Sequence, residues 1–398
     1  MRKLPGTALF AAVLFAAVLP SAPASAASAE SYLVLLEDGS ALTALTTDPA
    51  VVVTHRYESA VRGYAGRMTA ATAARLARDP RVALVQRDGV ATIAAQSVPT
   101  GIDRVDAELS PTARINGVDE RVDVDVAVID TGIDLDHPDL NVNTAGAKNC
   151  SSGRSADDGN GHGTHVAGTI GAKDDGNGVV GVAPGARVWP VRVLNNQGSG
   201  SFADIVCGID YVTAHASEIE VANMSLGGSG TDSACGSNKD AMHEAICRSV
   251  AAGVTYVVAA GNSAANASTS VPAAYDEVIT VSALADFNGK PGGGAASTCR
   301  ADVDDSFADF SNYGADVDLI APGVCIQSTW KGGGYDTISG TSMASPHVAG
   351  AAALYKATHA TASPAAVKSA LQAAATSDWS TATDPDSGHE SLLNVAAF

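Results

Sequence analysis

Apolar and polar positions divide the chain into three stretches. The first is one apolar run, Ala8 to Leu19, with Arg2 and Lys3 before it and small residues after it. The second, residues 27–94, carries short runs of a different kind. Tyr32–Leu36, Val51–Val53, Val61–Met68 and Arg81–Val85 predict strands, and Ala70–Ala77 predicts a helix that stops at Asp79-Pro80. The third, residues 95–398, alternates on a larger scale. Val124–Ile129, Val188–Val193, Val221–Met224, Val254–Ala259, Val278–Val281 and Val317–Ile320 are short apolar runs, the pattern of strands buried on both faces. Ala203–Ala214, Ala241–Ala252 and Met343–Thr358 predict helices between or after them. Such alternation predicts an α/β fold, a mostly parallel sheet covered on both faces. No internal repeat is visible. The glycine-rich Pro291–Gly294 is a turn, because no Lys-Ser/Thr and helix follow it as a phosphate cradle requires.

Composition changes this picture in three ways. The 398 residues suffice for a large core and more than one folding unit. The net charge of -19 is unevenly placed, with 15 basic against 36 acidic residues in 95–398. An acidic body argues against nucleic acid or an anionic membrane as partner and favours cations, while its main effect is a solvated surface. Residues 1–26 read as an export signal, with Ala24-Ser25-Ala26 and Ala27-Ser28-Ala29 as cleavage sites. The apolar run is too short for a membrane anchor, and no later segment is long and apolar enough to span a bilayer. The expected location is therefore extracellular. Six cysteines, all beyond residue 149, then suggest disulfides. They allow fifteen pairings; pairing neighbours gives Cys150–Cys207, Cys235–Cys247 and Cys299–Cys325. No CxxC spacing supports a metal cluster.

Three short segments carry chemistry. Val128-Ile129-Asp130-Thr131-Gly132 ends a predicted strand, Gly161-His162-Gly163-Thr164-His165 opens a helix, and Gly340-Thr341-Ser342-Met343-Ala344 opens another. A Ser nucleophile needs a base, and the base needs a carboxylate to hold its tautomer. Asp130, His162 and Ser342 supply these in order. Each is weak alone, since an Asp before Gly is a common turn residue and a Ser before a helix a common cap. His162 and His165 share a helix face, but a third ligand and the Glu of HExxH are missing, so a metal site fails. His165 and His347 are expected to be structural. Together the three segments resemble those of the subtilisin-like serine proteases, the subtilases.

That resemblance covers nearly the whole chain. It implies a three-layer α/β/α fold over 95–398, preceded by a small α+β, ferredoxin-like inhibitory propeptide over 27–94. The propeptide would assist folding and place its C-terminal end in the active-site cleft. Ala95-Gln96-Ser97-Val98-Pro99 resembles the start of mature bacterial subtilisins, which implies self-cleavage after Ala94. Asn262, in Ala259-Ala260-Gly261-Asn262, would donate to the oxyanion together with the Ser342 N–H. Substrate would lie as an extra strand between Gly198-Ser199-Gly200-Ser201-Phe202 and Ser225-Leu226-Gly227. The primary pocket would be walled by 225–227 and 259–261, with Ser270 near its base and Phe202 bordering a second pocket. None of these is charged, so a neutral, apolar residue is expected before the scissile bond. The resemblance also implies a structural calcium ion held by side-chain oxygens of Gln96, Asp139 and Asp175 and carbonyls of Lys173, Asn177 and Val179. Gln96 would join that shell only after the cut frees it. A weaker cation site would involve Asp318. The implied activity is that of a monomeric, secreted endopeptidase acting on polypeptides and made as a zymogen. The rival readings are a narrow processing protease and a protease-shaped binding protein without activity.

Overall fold

The computed structural model describes residues 29–37, 39–40, 46, 48–89 and 96–398. The export signal and the Ala94–Ala95 junction lie outside the described residues. The chain forms two compact units, Met1–Ile93 and Ala94–Phe398.

In the first unit, β1 (Glu30–Leu36), β2 (Val52–Tyr57), β3 (Gly63–Met68) and β4 (Val82–Arg87) make one antiparallel sheet in the order β2-β3-β1-β4. This is the order of a ferredoxin-like sheet. Helix α1 (Ala70–Leu76) is capped by the Thr69 hydroxyl, which accepts from Thr72 N. Tyr32, Val34, Leu36, Tyr64, Met68, Ala73 and Leu76 form the core between sheet and helix. The strands expected at 51–53 and 61–68 are Val52–Tyr57 and Gly63–Met68, so the turn before Gly63 takes more of the run than its apolar Val61 suggests.

The second unit is built on β5 (Asp125–Asp130), β6 (Arg187–Arg192), β7 (Val221–Met224), β8 (Thr255–Ala259), β9 (Ile279–Ala285) and β10 (Leu319–Pro322). They are hydrogen-bonded in the order β6-β5-β7-β8-β9-β10, every pair parallel. Ser306–Phe307 adds a short antiparallel piece to β9. Each of these strands was expected to within a few residues.

Strand β5 shows why the sheet has helices on both sides. Val126 and Val128 pack into one apolar cluster with Val166, Ile170 and Val348. Ala127 and Ile129 face the other way, into a cluster with Ile205, Ile209, Met242 and Ile246. Alternate residues thus feed two cores, as the unbroken apolar run required. The first face is covered by α2 (His162–Gly171) and α5 (Thr341–Thr358), the second by α3 (Phe202–Ala214) and α4 (Ala241–Ala251). Helices α2 and α5 approach closely enough that a Cβ on Gly350 would stand 2.6 Å from Val182 Cβ and 3.2 Å from the Ile170 carbonyl.

Two features were not read from the sequence. Helix α6 (Pro364–Ala374) begins at a Ser363 cap with Pro at its first position. A hairpin, β11 (Ile326–Trp330) with β12 (Gly334–Ile338), packs beside α2; its residues alternate too weakly to stand out. All three neighbouring cysteine pairs are bonded, Cys150–Cys207, Cys235–Cys247 and Cys299–Cys325, with Cα separations of 5.9, 6.0 and 5.8 Å. Among the described residues no helix is long and apolar enough to cross a membrane.

Candidate active site

Asp130 is the last residue of β5, so it stands at the C-terminal edge of the parallel sheet, where α/β folds place their sites. Its side chain is fully buried. Oδ1 accepts the Thr131 N–H at 2.7 Å and lies 2.8 Å from His162 Nδ1. With Nδ1 carrying the proton, the Nε2 lone pair is left free, the tautomer a general base needs. The helix that carries His162 can come this close only because two positions lack side chains. A Cβ on Gly163 would stand 2.1 Å from the Gly132 carbonyl, and one on Gly161 (φ 116°) would strike the Trp330 ring.

Asp158, which was not singled out from the sequence, fixes the start of that helix. Its Oδ1 accepts from Gly161 N at 2.8 Å, Asn160 N at 2.9 Å and the Thr131 hydroxyl at 2.9 Å. Its Oδ2 accepts from Thr164 N and the Thr164 hydroxyl at 3.0 and 2.7 Å. One buried carboxylate thus satisfies first-turn N–H groups of α2 and ties them to the residue after Asp130. The only sequence signal is an Asp followed by Gly-Asn-Gly four residues before His162. Burial works against the imidazolium of His162, but the charge and hydrogen bond of Asp130, with Asp158 behind them, hold its pKa above the ordinary value.

Ser342 stands in the first turn of α5, half buried, and its hydroxyl donates to the Ser225 carbonyl at 3.2 Å. Asn262 lies beside it, and Thr341 decides which way that amide points. The Thr341 N–H and hydroxyl both donate to Asn262 Oδ1, at 2.8 and 3.0 Å, while Gly261 N donates to the Thr341 hydroxyl at 3.1 Å. With Oδ1 occupied, Nδ2 is the free donor. A Cβ built on Gly340 would be 3.6 Å from Asn262 Nδ2 and 3.6 Å from Ser342 N, so both donors border one small space. Two N–H donors facing one space can stabilise a negative oxygen placed there. Asn223, a buried polar residue in the apolar run of β7, donates to Ser225 Oγ at 2.9 Å, and Ser225 Oγ donates to the Ser342 carbonyl at 2.7 Å. These bonds tie the start of α5 to the middle of the sheet.

Two cavities flank this group. One, of about 290 Å³, is bounded by Leu226, Gly227, Ala259, Ala260, Gly261, Asn262, Ser270 and Ser342 among others. Asn312 Nδ2 donates to Ser270 Oγ at 3.3 Å and to the Ala260 carbonyl at 2.9 Å, which closes its base. The other, of about 490 Å³, is bounded by His162, Leu194, Gly198, Ser199, Gly200, Phe202 and Ser225. Both share Leu226 and Gly227. Of the residues expected on the substrate clamps all but Ser201, which caps α3, border one of the two, and apart from His162 neither wall carries an ionisable side chain. The cavities, the Asp130–His162 pair and the Ser342–Asn262 pair suit acyl transfer on an extended chain.

Comparison with known proteins agrees. Residues 122–392 match the subtilase family, and residues 20–94 match the peptidase inhibitor I9 family. The chain belongs to the subtilase family. It is 40% identical to subtilisin E of Bacillus subtilis (strain 168) over 304 residues, 76% of this chain and 72% of that one. It is 41% identical to an alkaline protease of Shouchella clausii over 303 residues, 76% and 71% of the two chains. A solved cold-adapted subtilisin-like serine proteinase superposes with a TM-score of 0.58 at 33% identity, over 75% of this chain and 98% of that one. This subtilase is, like its relatives, a serine-type endopeptidase with an inhibitor-type propeptide.

His165 and His347, the two histidines expected to be structural, are both buried away from the cavities. His165 is fully buried, bonded through Nε2 to the Ile326 carbonyl at 2.9 Å, and burial lowers its pKa to about 3. His347 is buried within α5, with its pKa lowered by burial to about 4.

The residues expected around a cation fall into two groups. Gln96, Asp139 and the 173–179 loop come together. Gln96 Oε1 accepts from Gly176 N at 2.8 Å, and Asp139 Oδ2 accepts from Val179 N at 3.0 Å and the Tyr335 hydroxyl at 3.2 Å. Asp139 Oδ1 is buried with no hydrogen-bond partner, and burial pushes the carboxyl up to about 6. Asp174, not Asp175, is the buried acid of the loop. Its oxygens accept from Gln96 Nε2 at 2.5 Å and from Asn116 N and Gly117 N at 2.5 and 2.9 Å. It thereby turns the Gln96 carbonyl toward the loop. Gln96 lies on the loop. Gln96 N and Ser97 N donate to the Gly176 and Gly178 carbonyls at 3.0 and 2.8 Å, which holds it there. Asp318 stands apart, just before β10, and is engaged by Lys368 Nζ at 2.8 Å.

His162 can serve as base only when neutral, so activity should fall as pH drops through its raised pKa. Asp158→Asn removes one charge that raises it. The acidic limb of the kcat/KM profile should then move to lower pH. A limb that stays in place would show that Asp158 caps the helix without acting on the imidazole.

Proposed function

We propose that this chain is a secreted, self-processing zymogen of a monomeric endopeptidase that cleaves polypeptides after neutral, apolar residues. Residues 1–26 act as the export signal, 27–94 as propeptide and 95–398 as the peptidase. The observation that carries this reading is the 2.8 Å contact between Asp130 Oδ1 and His162 Nδ1, with His162 on one cavity and Ser342 and Asn262 on the next, the two sharing Leu226 and Gly227.

The residue roles follow from that arrangement. Substrate pairs as a strand between 198–202 and 225–227, with its backbone bonds supplying affinity and the uncharged cavity under Ala259–Gly261 taking one side chain. The Ser342 hydroxyl leaves the Ser225 carbonyl and gives its proton to His162 Nε2 as Oγ attacks the scissile carbonyl. Asp130 stabilises the imidazolium without taking its proton. Asn262 Nδ2 and Ser342 N donate to the oxyanion. His162 returns the proton to the leaving amine, and water repeats the sequence on the acyl-enzyme. An inactive protein of the same shape would be expected to lack one of these groups, and none is lost.

Calcium belongs to the same reading. Side-chain oxygens of Gln96, Asp139 and Asp175 and carbonyls of Lys173, Asn177 and Val179 would hold it. Two observations fit a hard cation there. Asp139 Oδ1 is a buried, unpartnered acceptor. A Cβ on Gly178 (φ 62°) would come within 2.3 Å of Asp139 Oδ2, so the loop closes tightly on that carboxylate. The ion would neutralise the acid and lock the loop.

Three outcomes are expected. Ser342→Ala should yield a chain that stays uncut between propeptide and peptidase; a mature fragment in a pure preparation would refute self-cleavage. Digestion of a peptide library should show neutral, apolar residues before the scissile bond, and a strong preference for Arg or Lys would refute the pocket assignment. A chelator should shorten the half-life at elevated temperature, whereas an unchanged half-life would remove calcium from the 173–179 loop.

A further inference from the structure

At the N-terminal edge of the sheet, opposite the catalytic edge, three oxygens converge. They are the carbonyls of Asp276 and Val278, just before β9, and the Asp318 carboxylate, just before β10. Two main-chain carbonyls and a carboxylate from adjacent strands are the donor set of a hard-cation site. The centre of this set is occupied by the protein itself. Lys368 Nζ donates to Asp318 Oδ1 at 2.8 Å, to the Val278 carbonyl at 2.9 Å and to the Asp276 carbonyl at 3.4 Å. An ammonium has three N–H bonds, and each finds one of the three oxygens. The pair is sheltered, with the Lys368 and Asp318 side chains 25% and 14% exposed. Asp318 Oδ2 is satisfied separately, by Thr280 N at 2.9 Å.

The rest of α6 holds the ammonium in place. Val367 and Leu371 are fully buried in the core, which pins the helix on either side of Lys368. Gln372 Nε2 reaches the same carboxylate at 3.4 Å. Asp276 adds a further negative charge next to Asp318. A free metal ion would have to displace a cation that cannot diffuse away. The donor set therefore fits a cation, but not a cation from solution while Lys368 is present.

We propose that the Lys368 ammonium is a tethered cation that fills an oxygen cage between α6 and the starts of β9 and β10, and that removing it leaves a site for a hard cation from solution. The C-terminal helix is thereby fixed to the sheet by a link that chelators do not reach. Metal dependence of the protein is then confined to places other than this edge.

The test uses the full chain carrying Ser342→Ala, so that self-digestion does not contribute. Its melting temperature is compared with that of the same chain carrying Lys368→Ala, in choline chloride, sodium chloride and calcium chloride at equal ionic strength. In choline the Lys368→Ala chain should melt about 5 °C lower. Sodium or calcium should restore at least half of that loss, beyond any change they cause in the parent. Adding Asp318→Asn should abolish the restoration. The 173–179 loop is common to all chains, so any calcium effect there cancels in the comparison. Parallel responses of parent and Lys368→Ala in all three salts would overturn the proposal, as would restoration that survives Asp318→Asn. Should Lys368→Ala fail to fold, Lys368→Met keeps the apolar stem without the charge and is read in the same way.

Discussion

A carboxylate with no exposed surface at the end of a buried strand is the constraint on which the site is built. A carboxylate buried there needs donors, because burial of an unpaired charge is among the most unfavourable events in a fold. The Thr131 N–H and the His162 ring supply them. Meeting that need fixes much else. Helix α2 must start within reach of β5, which demands glycine at 163, while glycine at 161 leaves room for the Trp330 ring. The loop before α2 must fold back over the Thr131 hydroxyl, which Asp158 enforces. His162 is then oriented before any substrate arrives, with 23% of its side chain still exposed toward the cleft. Preorganisation of this kind is what makes an imidazole a useful base.

The same economy explains where many of the acids went. A surplus of Asp and Glu suggested a solvated surface, yet ten acids in the described residues are buried, Asp125, Asp130, Asp134, Asp139, Asp158, Asp174, Asp286, Asp304, Asp305 and Glu390. Asp158, Asp174 and Asp304 accept main-chain N–H groups of nearby loops. Asp305 takes the buried Arg104 at 3.0 Å as well as Gly293 N. Charge-assisted bonds to main-chain donors are strong where water is excluded, and they give long loops one conformation without apolar side chains. Part of the negative charge is therefore an internal scaffold, and solubility accounts only for the remainder.

The sheet was legible because its strands are nearly continuous apolar runs, and β5 to β10 fall close to where those runs lie. The Asp130, His162 and Ser342 segments were legible because each joins a chemical residue to glycines and to the start or end of an element. The missing parts share a different property. Thr341, Asn223 and Asp158 act on residues that are distant in sequence or in another element: Thr341 on Asn262, Asn223 on Ser225, Asp158 on Thr131. Thr341 was in plain view next to Ser342, but its function depends on an amide 79 residues away. The separate role of Asp174 could not be read from Asp-Asp-Gly, because the Asn116 and Gly117 N–H groups that it holds lie 58 and 57 residues away. Helix α6 had an adequate start signal in Ser363-Pro364, and its omission concealed Lys368.

The two edges of the parallel sheet solve one electrostatic problem in opposite ways. At the C-terminal edge, Asp130 is paired with an imidazole, whose charge can change and whose pKa Asp130 and Asp158 raise. At the N-terminal edge, Asp318 is paired with the Lys368 ammonium, which also holds two main-chain carbonyls. The first arrangement suits proton transfer and the second suits anchoring. Both depend on a helix delivering its residue to strand ends, α2 to β5 and α6 to β9 and β10. That division leaves a titratable partner at one end of the sheet and a helix anchor at the other.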